Sequence, residues 1–491
     1  MSQTASLAPA KSRFGVSLPV LVALAAFAVV LASGPSLLGD PDTYWHIVAG
    51  RWIWAHRAVP HADIFSYSLA GAPWVAHEWL AEAVFAPLYD AWGWNGLVLA
   101  TALSFAAALA ILTRALLRYL EPAYALAGMA TAWGMALPHL LARPHVLTLP
   151  ILVLWFAALA EARARDRAPP LWLAGLMVLW ANLHGGFALG LVFAALFAGE
   201  ALLAARTHDQ RLAVIKSWGA FGALSLAACL VTPNGFNTLW LPLHLMQMKF
   251  ALSVLVEWQS PNFQTVQPVE IWLMLGLALA LGFGVKLPPT RIAMLLLLIH
   301  LSLAHQRHAE VLGLVAPLLL AEPVGDLIRA RTKRRSASGL DHAFADLSGH
   351  ASFVGAAAAA LFLLGLSIVF VAHPIERKPD GFTPSAALDA ARASGLTDGR
   401  VFNDYGFGGY LIFEGLKPYV DGRSDLYGDD FLKRYVEATR GTSGDLPALL
   451  DESKATWTLF AAKSPAATLL DHLPGWRRVY ADDTAVIHAR E

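Results

Sequence analysis

Apolar residues in this chain run in long unbroken blocks, without the alternation of a half-buried strand or the narrow stripe of a surface helix. Eleven such blocks stand out, at about 16–33, 95–113, 123–139, 146–160, 171–182, 187–205, 217–231, 270–285, 292–304, 309–325 and 352–372. Each is near the ~20 residues an α-helix needs to cross a hydrocarbon core. The pattern predicts a mainly α membrane protein with about 11 transmembrane helices. Several blocks are short, so neighbouring helices have to cover them, and the block at 171–182 has a re-entrant segment as its alternative. The first block follows Lys11 and Arg13 and has the outline of a secretory signal. No small-x-small cleavage site leads from it into a soluble domain, so it is read as a retained span.

The polar segments between the blocks divide by charge. With a cytoplasmic N-terminus, the inner segments hold Lys11, Arg13, Arg114, Arg118, Arg163, Arg165, Arg167, Arg206, Arg211, Lys216, Lys286, Arg291, Arg329, Arg331, Lys333, Arg334 and Arg335. The outer segments up to position 372 hold only Arg51, Arg57, Arg143, Lys249 and Arg307. Seventeen against five is the asymmetry of the positive-inside rule, and one misplaced span would scramble it. The expected organisation is a transmembrane domain over 1–372, with a first outer loop at 34–94 and a cytoplasmic basic linker at 326–350 that anchors on lipid headgroups. An extracytoplasmic α/β domain follows at 373–491. Strand-like runs at 400–403, 418–421, 456–461 and 485–488 alternate there with helical runs at 384–393, 430–438 and 446–452. The setting this implies is a bacterial cytoplasmic membrane, with the C-terminal domain on the periplasmic side.

Composition agrees: 57% of the 491 residues are hydrophobic and only 15% charged, with a mean hydropathy of +0.51. That is more apolar surface than a soluble core uses. The formal net charge of zero leaves no excess of Lys and Arg to neutralise phosphates, which removes nucleic acid as a partner. The single cysteine, Cys229, excludes an intrachain disulfide and a cysteine metal cluster.

Chemistry gathers on the outer face. The first outer loop carries Asp40-Pro41-Asp42-Thr43-Tyr44-Trp45-His46, then His56, His61, Asp63 and His77-Glu78-Trp79. Its 44–55 stretch, with Ile47, Trp52 and Trp54 among polar residues, reads as an interfacial helix. His139, Arg143 and His145 lie between the third and fourth blocks, and Asn182 and His184 follow the fifth. Asn234, Asn237, Glu257 and Asn262 follow the seventh, and His305, Arg307, His308 and Glu310 sit outside the ninth. Ionisable groups at membrane depth are costly and mark function by default. The tryptophans at 45, 52, 54, 79, 92 and 94 fit an aromatic belt, with substrate stacking as the alternative. Asp40 and Asp42, two residues apart just beyond a span, suit a base or a cation site; Asp42 also has the option of capping the next helix, leaving the chemistry to Asp40.

This arrangement resembles the GT-C superfamily of membrane glycosyltransferases, which take sugars from polyprenyl-phosphate donors outside the membrane. In its arabinose- and mannose-transferring branches an acidic motif of the form Asp-Glu-x-x-Tyr follows the first span. Asp40 and Tyr44 match its ends; Pro41 replaces the Glu, and Asp42 supplies the second carboxylate. The chain is also similar to an uncharacterised bacterial multi-pass membrane protein family with D-x-D-x-[YW]-W-H, H-E-W-L-A-E, N-L-H-G-G and V-D-G-R-x-D-L-Y stretches. These lie here at 40–46, 77–82, 182–186 and 420–427.

The resemblance implies an inverting transfer of a hexosyl or pentosyl group from a polyprenyl-phosphate-linked donor to a glycan, lipid or protein acceptor. Asp40 would be the base, with Asp42 next. Arg143, Arg307, His145 and His308 would face the departing phosphate, and His77 and Glu78 the acceptor, with Tyr44, His46, Asn182 and His184 completing the substrate site. A divalent cation, Mg²⁺ or Mn²⁺, on Asp40 and Asp42 is the one cofactor left open. The C-terminal stretches 403–406 and 421–425 read as turns, with Arg423 pairing Asp425, the alternative being acceptor recognition or docking on the outer cavity. Two other classes remain: a lipid-linked sugar flippase or transporter, and a non-catalytic GT-C-like assembly partner in envelope polysaccharide synthesis. No internal repeat or mid-span charge speaks for transport, and no Trp-Gly-x-x-Trp-x-x-Trp-Asp stretch speaks for haem handling.

Overall fold

The computed structural model describes residues 15–331, 346–347, 349–377 and 380–491. Lys11, Arg13 and the Lys333, Arg334 and Arg335 part of the basic linker lie outside the described residues. Each of the eleven apolar blocks falls mainly within a helix: Leu18–Ala32, Trp94–Leu116, Pro122–Ala136, Leu149–Ala164, Gly175–Leu183 with its 3₁₀ turn Leu171–Ala174, Phe187–Ala204, His208–Ala228, Pro268–Phe283, Pro289–Ala304, Ala309–Arg331 and Phe353–Val371. Among the described residues, five stretches are long and apolar enough to cross a membrane: Trp94–Leu116, Pro144–Ala164, Phe187–Ala204, Gln306–Arg331 and Phe353–Val371. Leu18–Ala32, Leu171–Leu183, Pro268–Phe283 and Pro289–Ala304 are apolar but shorter.

Trp94–Leu116 is the central post. Leu97, Val98, Phe105, Leu109 and Leu112 along it are fully buried against Leu18–Ala32 on one side and Leu149–Ala164 on another. The opposite extreme is Phe353–Val371, where Phe353 is 89% and Leu361 68% exposed. A helix that bare is stable only if hydrocarbon covers it. Arg291, counted above among loop charges, is instead buried inside Pro289–Ala304, where it donates to Glu200 at 2.8 Å. Arg163 meets the other oxygen of Glu200 at 3.2 Å.

The first outer loop folds into two packed helices, Asp42–His56 and Trp79–Trp92. The first of them does not lie on a membrane surface. Ile47 and Ala49 are fully buried and Ile53 nearly so, because the helix is sandwiched between its partner and the C-terminal domain. The tryptophans divide accordingly. Trp54 and Trp92 are exposed, as a belt requires, whereas Trp45 and Trp94 are buried.

The C-terminal domain is α/β. Strands β1 (Val401–Asn403), β2 (Trp457–Ala461), β3 (Trp476–Ala481) and β4 (Ala485–Arg490) form one sheet in the order β1-β2-β4-β3, with β1 parallel to β2 and the other pairs antiparallel. The run at 418–421 is not a strand. The Asn403 side chain takes over its ladder instead, accepting from Tyr419 N–H at 2.8 Å and donating to the Val420 carbonyl at 2.8 Å. The helix expected at 430–438 is present as the part of Ser424–Thr439 that follows a kink at Gly428. β3 and the helices Gly408–Phe413 and Pro465–Asp471 have no counterpart in the sequence reading.

This domain is not a free appendage. Tyr44 donates to or accepts from Thr383 at 2.9 Å and packs edge-on against Trp94 and Tyr410, while Arg377 covers its ring at 4.3 Å. Arg423 does not pair with Asp425. It binds Asp421 at 2.7 Å and reaches across to Asp63 of the first outer loop, also at 2.7 Å, with all three side chains fully buried. Farther out, Asp429 accepts from the first N–H groups of Lys249–Val254, at 2.9 Å each from Phe250 and Ala251.

Candidate functional site

Asp40, Asp42, Arg143, Glu257 and Arg307 meet where the first outer loop, the turn before Pro144–Ala164 and the 256–258 turn converge. Arg143 is the hub: its Nε lies 3.1 Å from Asp40, one terminal nitrogen 2.9 Å from Asp42, and the other contacts Glu257. Arg307 holds the second oxygen of Glu257 at 3.0 Å and stacks on the Trp258 ring at 4.7 Å. Burial works against a charged Arg143, but Asp40, Glu257 and Asp42 outweigh it and keep the guanidinium protonated.

The two aspartates are not equivalent. Asp40 accepts the backbone N–H of Asp42 at 2.7 Å in the turn that leads into the helix Asp42–His56; Pro41 holds the N-cap position, so Asp42 does not take the capping role the sequence allowed it. Its side chain is 6% exposed, against 16% for Asp42. Asp42 stands in the first helical turn and receives the Trp45 indole N–H at 3.1 Å. Burial, then repulsion from Asp40, raises its pKa to about 7 despite Arg143. Burial also raises Asp40, against the pull of Arg143. Glu257 goes the other way: burial would lift it, but Arg143 and Arg307 hold it down to about 2.

The C-terminal domain closes over this pair. Gly422 lies so near Asp42 that a Cβ there would sit 1.6 Å from the carboxylate oxygen, and Gly409 so near Pro41 that its Cβ would meet the carbonyl at 2.4 Å. Only glycine permits either approach. Tyr405 donates to the Gly422 carbonyl at 3.1 Å and steadies the turn.

A second cluster adjoins the first through Trp45, whose ring stacks 3.7 Å from His46. Here Glu78 is approached by His46 at 3.6 Å, His184 at 3.5 Å and His77 at 3.9 Å. His46 pairs through its other nitrogen with Glu82 at 3.1 Å. Burial holds His46 and His184 well below the usual imidazole range and raises both Glu78 and Glu82. His184 Nδ1 accepts from Gly186 N–H at 3.0 Å, which leaves its proton on Nε2, facing Glu78.

His145 turns to Glu310 at 3.6 Å and His308 stacks near His305 and Trp258. Asn182 contributes no free group: Trp79 donates to it at 2.7 Å, and it donates to the carbonyls of Val178 and Val231. Tyr44 is committed to the domain joint described above. Both therefore help to hold the site's walls. Beside Trp79 and Asn182 opens a mainly apolar cavity of about 500 Å³, lined also by Val178, Leu179, Leu230 and Val231. Among the described residues no three His, Cys, Asp or Glu side chains are arranged to hold a metal ion; Arg143 stands where a cation shared by Asp40 and Asp42 would. The pivotal part of Glu257 was not legible in advance. Its only sequence signal was an acid between apolar neighbours at an outward turn.

Comparison with protein families and with curated proteins returns no match. Among solved structures, the chain is similar to ArnT from Cupriavidus metallidurans in the apo state, at 12% identity and a TM-score of 0.49, and to the same protein bound to undecaprenyl phosphate, at 13% and 0.45. Each alignment covers 96% of this chain and 97% of the other. At such scores the likeness carries no weight in assigning chemistry.

Proposed function

We propose that this protein is a membrane glycosyltransferase of the GT-C type that moves a sugar from a polyprenyl-phosphate-linked donor to an acceptor hydroxyl outside the membrane. The observation that carries the reading is the buried array of two aspartates on Arg143, with Arg307 one carboxylate away. It pairs a proton acceptor with fixed cations, the two things this transfer needs.

In the proposed step the acceptor oxygen attacks the anomeric carbon, the bond from that carbon to the phosphate oxygen breaks, and the phosphate departs with the electron pair. Asp42 takes the hydroxyl proton; its greater exposure and near-neutral pKa support it over Asp40. Arg143 and Arg307 receive the phosphate, exchanging Glu257 for the new anion, and their bidentate geometry suits it. A single displacement inverts the anomeric centre. The polyprenyl chain fits the apolar cavity beside Trp79, and the Glu78 cluster lines the acceptor side.

Membranes containing the protein, incubated with radiolabelled sugars on a panel of polyprenyl phosphates, are expected to pass label to an endogenous glycan, lipid or protein, and Arg307→Gln to lower the rate at least tenfold. Labelled lipid that binds and is never consumed by the wild type would turn the reading toward a flippase or an assembly partner.

A further inference from the structure

The end of the helix bundle farthest from Asp42 holds another charged constellation. Trp94–Leu116 starts against Tyr44 in the site and, at 1.5 Å per residue, carries its other end roughly 34 Å away. There it forms, with Leu149–Ala164 and the 3₁₀ turn Leu171–Ala174, a half-open cavity of about 280 Å³. Arg114, Arg118 and Arg167 line it, and Glu161 is the one carboxylate among its lining residues. Glu161 is already taken by Arg118 and by Arg165, the latter at 2.7 Å. Arg114 and Arg167 have no ion-pair partner among the described residues. Burial, then repulsion from Arg114 and Arg165, pulls the Arg118 pKa below its ordinary value, so the cluster carries uncompensated positive charge.

The rest of the cavity is apolar. Leu154 and Trp172 form a wall that opens outward, with Leu154 37%, Trp172 71% and the adjoining Leu171 51% exposed. Guanidiniums at one end and a bare hydrocarbon wall at the other match an amphiphile whose single phosphate bears its charge next to acyl chains. A free phosphate or nucleotide would use the arginines and leave the wall uncovered.

We infer that this cavity binds the headgroup of an anionic phospholipid, with the phosphate between Arg114 and Arg167 and a chain along Leu154 and Trp172. The site is separate from the transfer site, and its occupancy is measured without any transfer. It gives the bundle a lipid anchor at the end the charge pattern assigns to the cytoplasm.

Full-length protein, purified and delipidated in detergent, is titrated with phosphatidylglycerol or phosphatidylcholine, and bound lipid is counted by native mass spectrometry. Phosphatidylglycerol is expected to bind at least tenfold more tightly. Arg114→Gln with Arg167→Gln, both exposed and unpaired and so without a folding penalty, is expected to weaken it about twentyfold at roughly one charge's worth of attraction each. Trp172→Ser is expected to weaken both lipids alike, and Arg206→Gln with Lys216→Gln, basic residues that do not line the cavity, to change neither. Unaltered phosphatidylglycerol binding in the double arginine variant would overturn the inference, as would equal binding of phosphatidylcholine or displacement of the lipid by millimolar inorganic phosphate.

Discussion

Asp42 sits at a balance point between burial and the repulsion of Asp40, which push its proton affinity up, and Arg143 and the Trp45 indole, which hold it down. A base works in its deprotonated form, so kcat/KM is expected to rise with pH to a plateau above about 7 and to fall about tenfold per unit on the acid side. Trp45 donates its N–H to the charged carboxylate. Trp45→Phe removes that donor, favours the protonated form, and is expected to move the acid limb to higher pH with the plateau largely kept. A pH profile of the variant and the wild type checks this, and an unmoved limb would take Asp42 out of the role. At this scale the sequence was informative about residue types and misleading about duties. Asp40, Asp42, Arg143 and Arg307 were recognisable as outward charges next to spans. That Asp40 takes the Asp42 N–H while Pro41 holds the N-cap position depends on the local backbone, and no pattern of residue types encodes that. Tyr44 and Asn182, read as substrate contacts because they are polar groups on an outward face, also bond within the chain, Tyr44 to the Thr383 hydroxyl and Asn182 to the Trp79 indole and two backbone carbonyls.

Among the elements, the joint between the first outer loop and the C-terminal domain decides whether the site exists. Arg423 is held by Asp421 and Asp63 with no exposure of any of the three. Removing the cation leaves two buried carboxylates facing each other, so Arg423→Met is expected to destabilise the docked state by about 3–5 kcal/mol, as broken buried pairs do. Limited proteolysis is expected to release the C-terminal domain from the variant earlier than from the wild type, while the transmembrane part keeps its thermal transition. Identical digestion of the two proteins would show that the pair does not hold the joint. The helices of the bundle were legible because hydrophobic length alone specifies them. The strand at β3 was not, because Arg477, Arg478 and Val479 all face outward and no alternation survives. The 418–421 run failed for a different reason: it has strand composition, but its backbone bonds to the Asn403 side chain, the Tyr67 N–H and the Ser68 hydroxyl in place of a neighbouring strand.

Across the whole molecule, the charge asymmetry of the sequence predicts that the Asp42 site and the C-terminal domain lie outside and the arginine cavity inside. Cys229 is buried, so the native protein is a silent background for thiol labelling. In intact cells a membrane-impermeant maleimide is expected to label Ser443→Cys, on an exposed tip of the C-terminal domain, and to reach Asp209→Cys only after lysis. The reverse order would invert the topology and place the proposed transfer on the wrong side of the membrane for its donor.

The most direct test of the account is a single-turnover transfer assay with Asp42→Asn, Asp40→Asn and wild-type protein, each checked for binding of the polyprenyl-phosphate sugar. The account predicts that Asp42→Asn still binds donor but slows transfer by about 10²–10⁴-fold, with Asp40→Asn less affected in the chemical step and weaker in stability. Undiminished transfer by Asp42→Asn would contradict it.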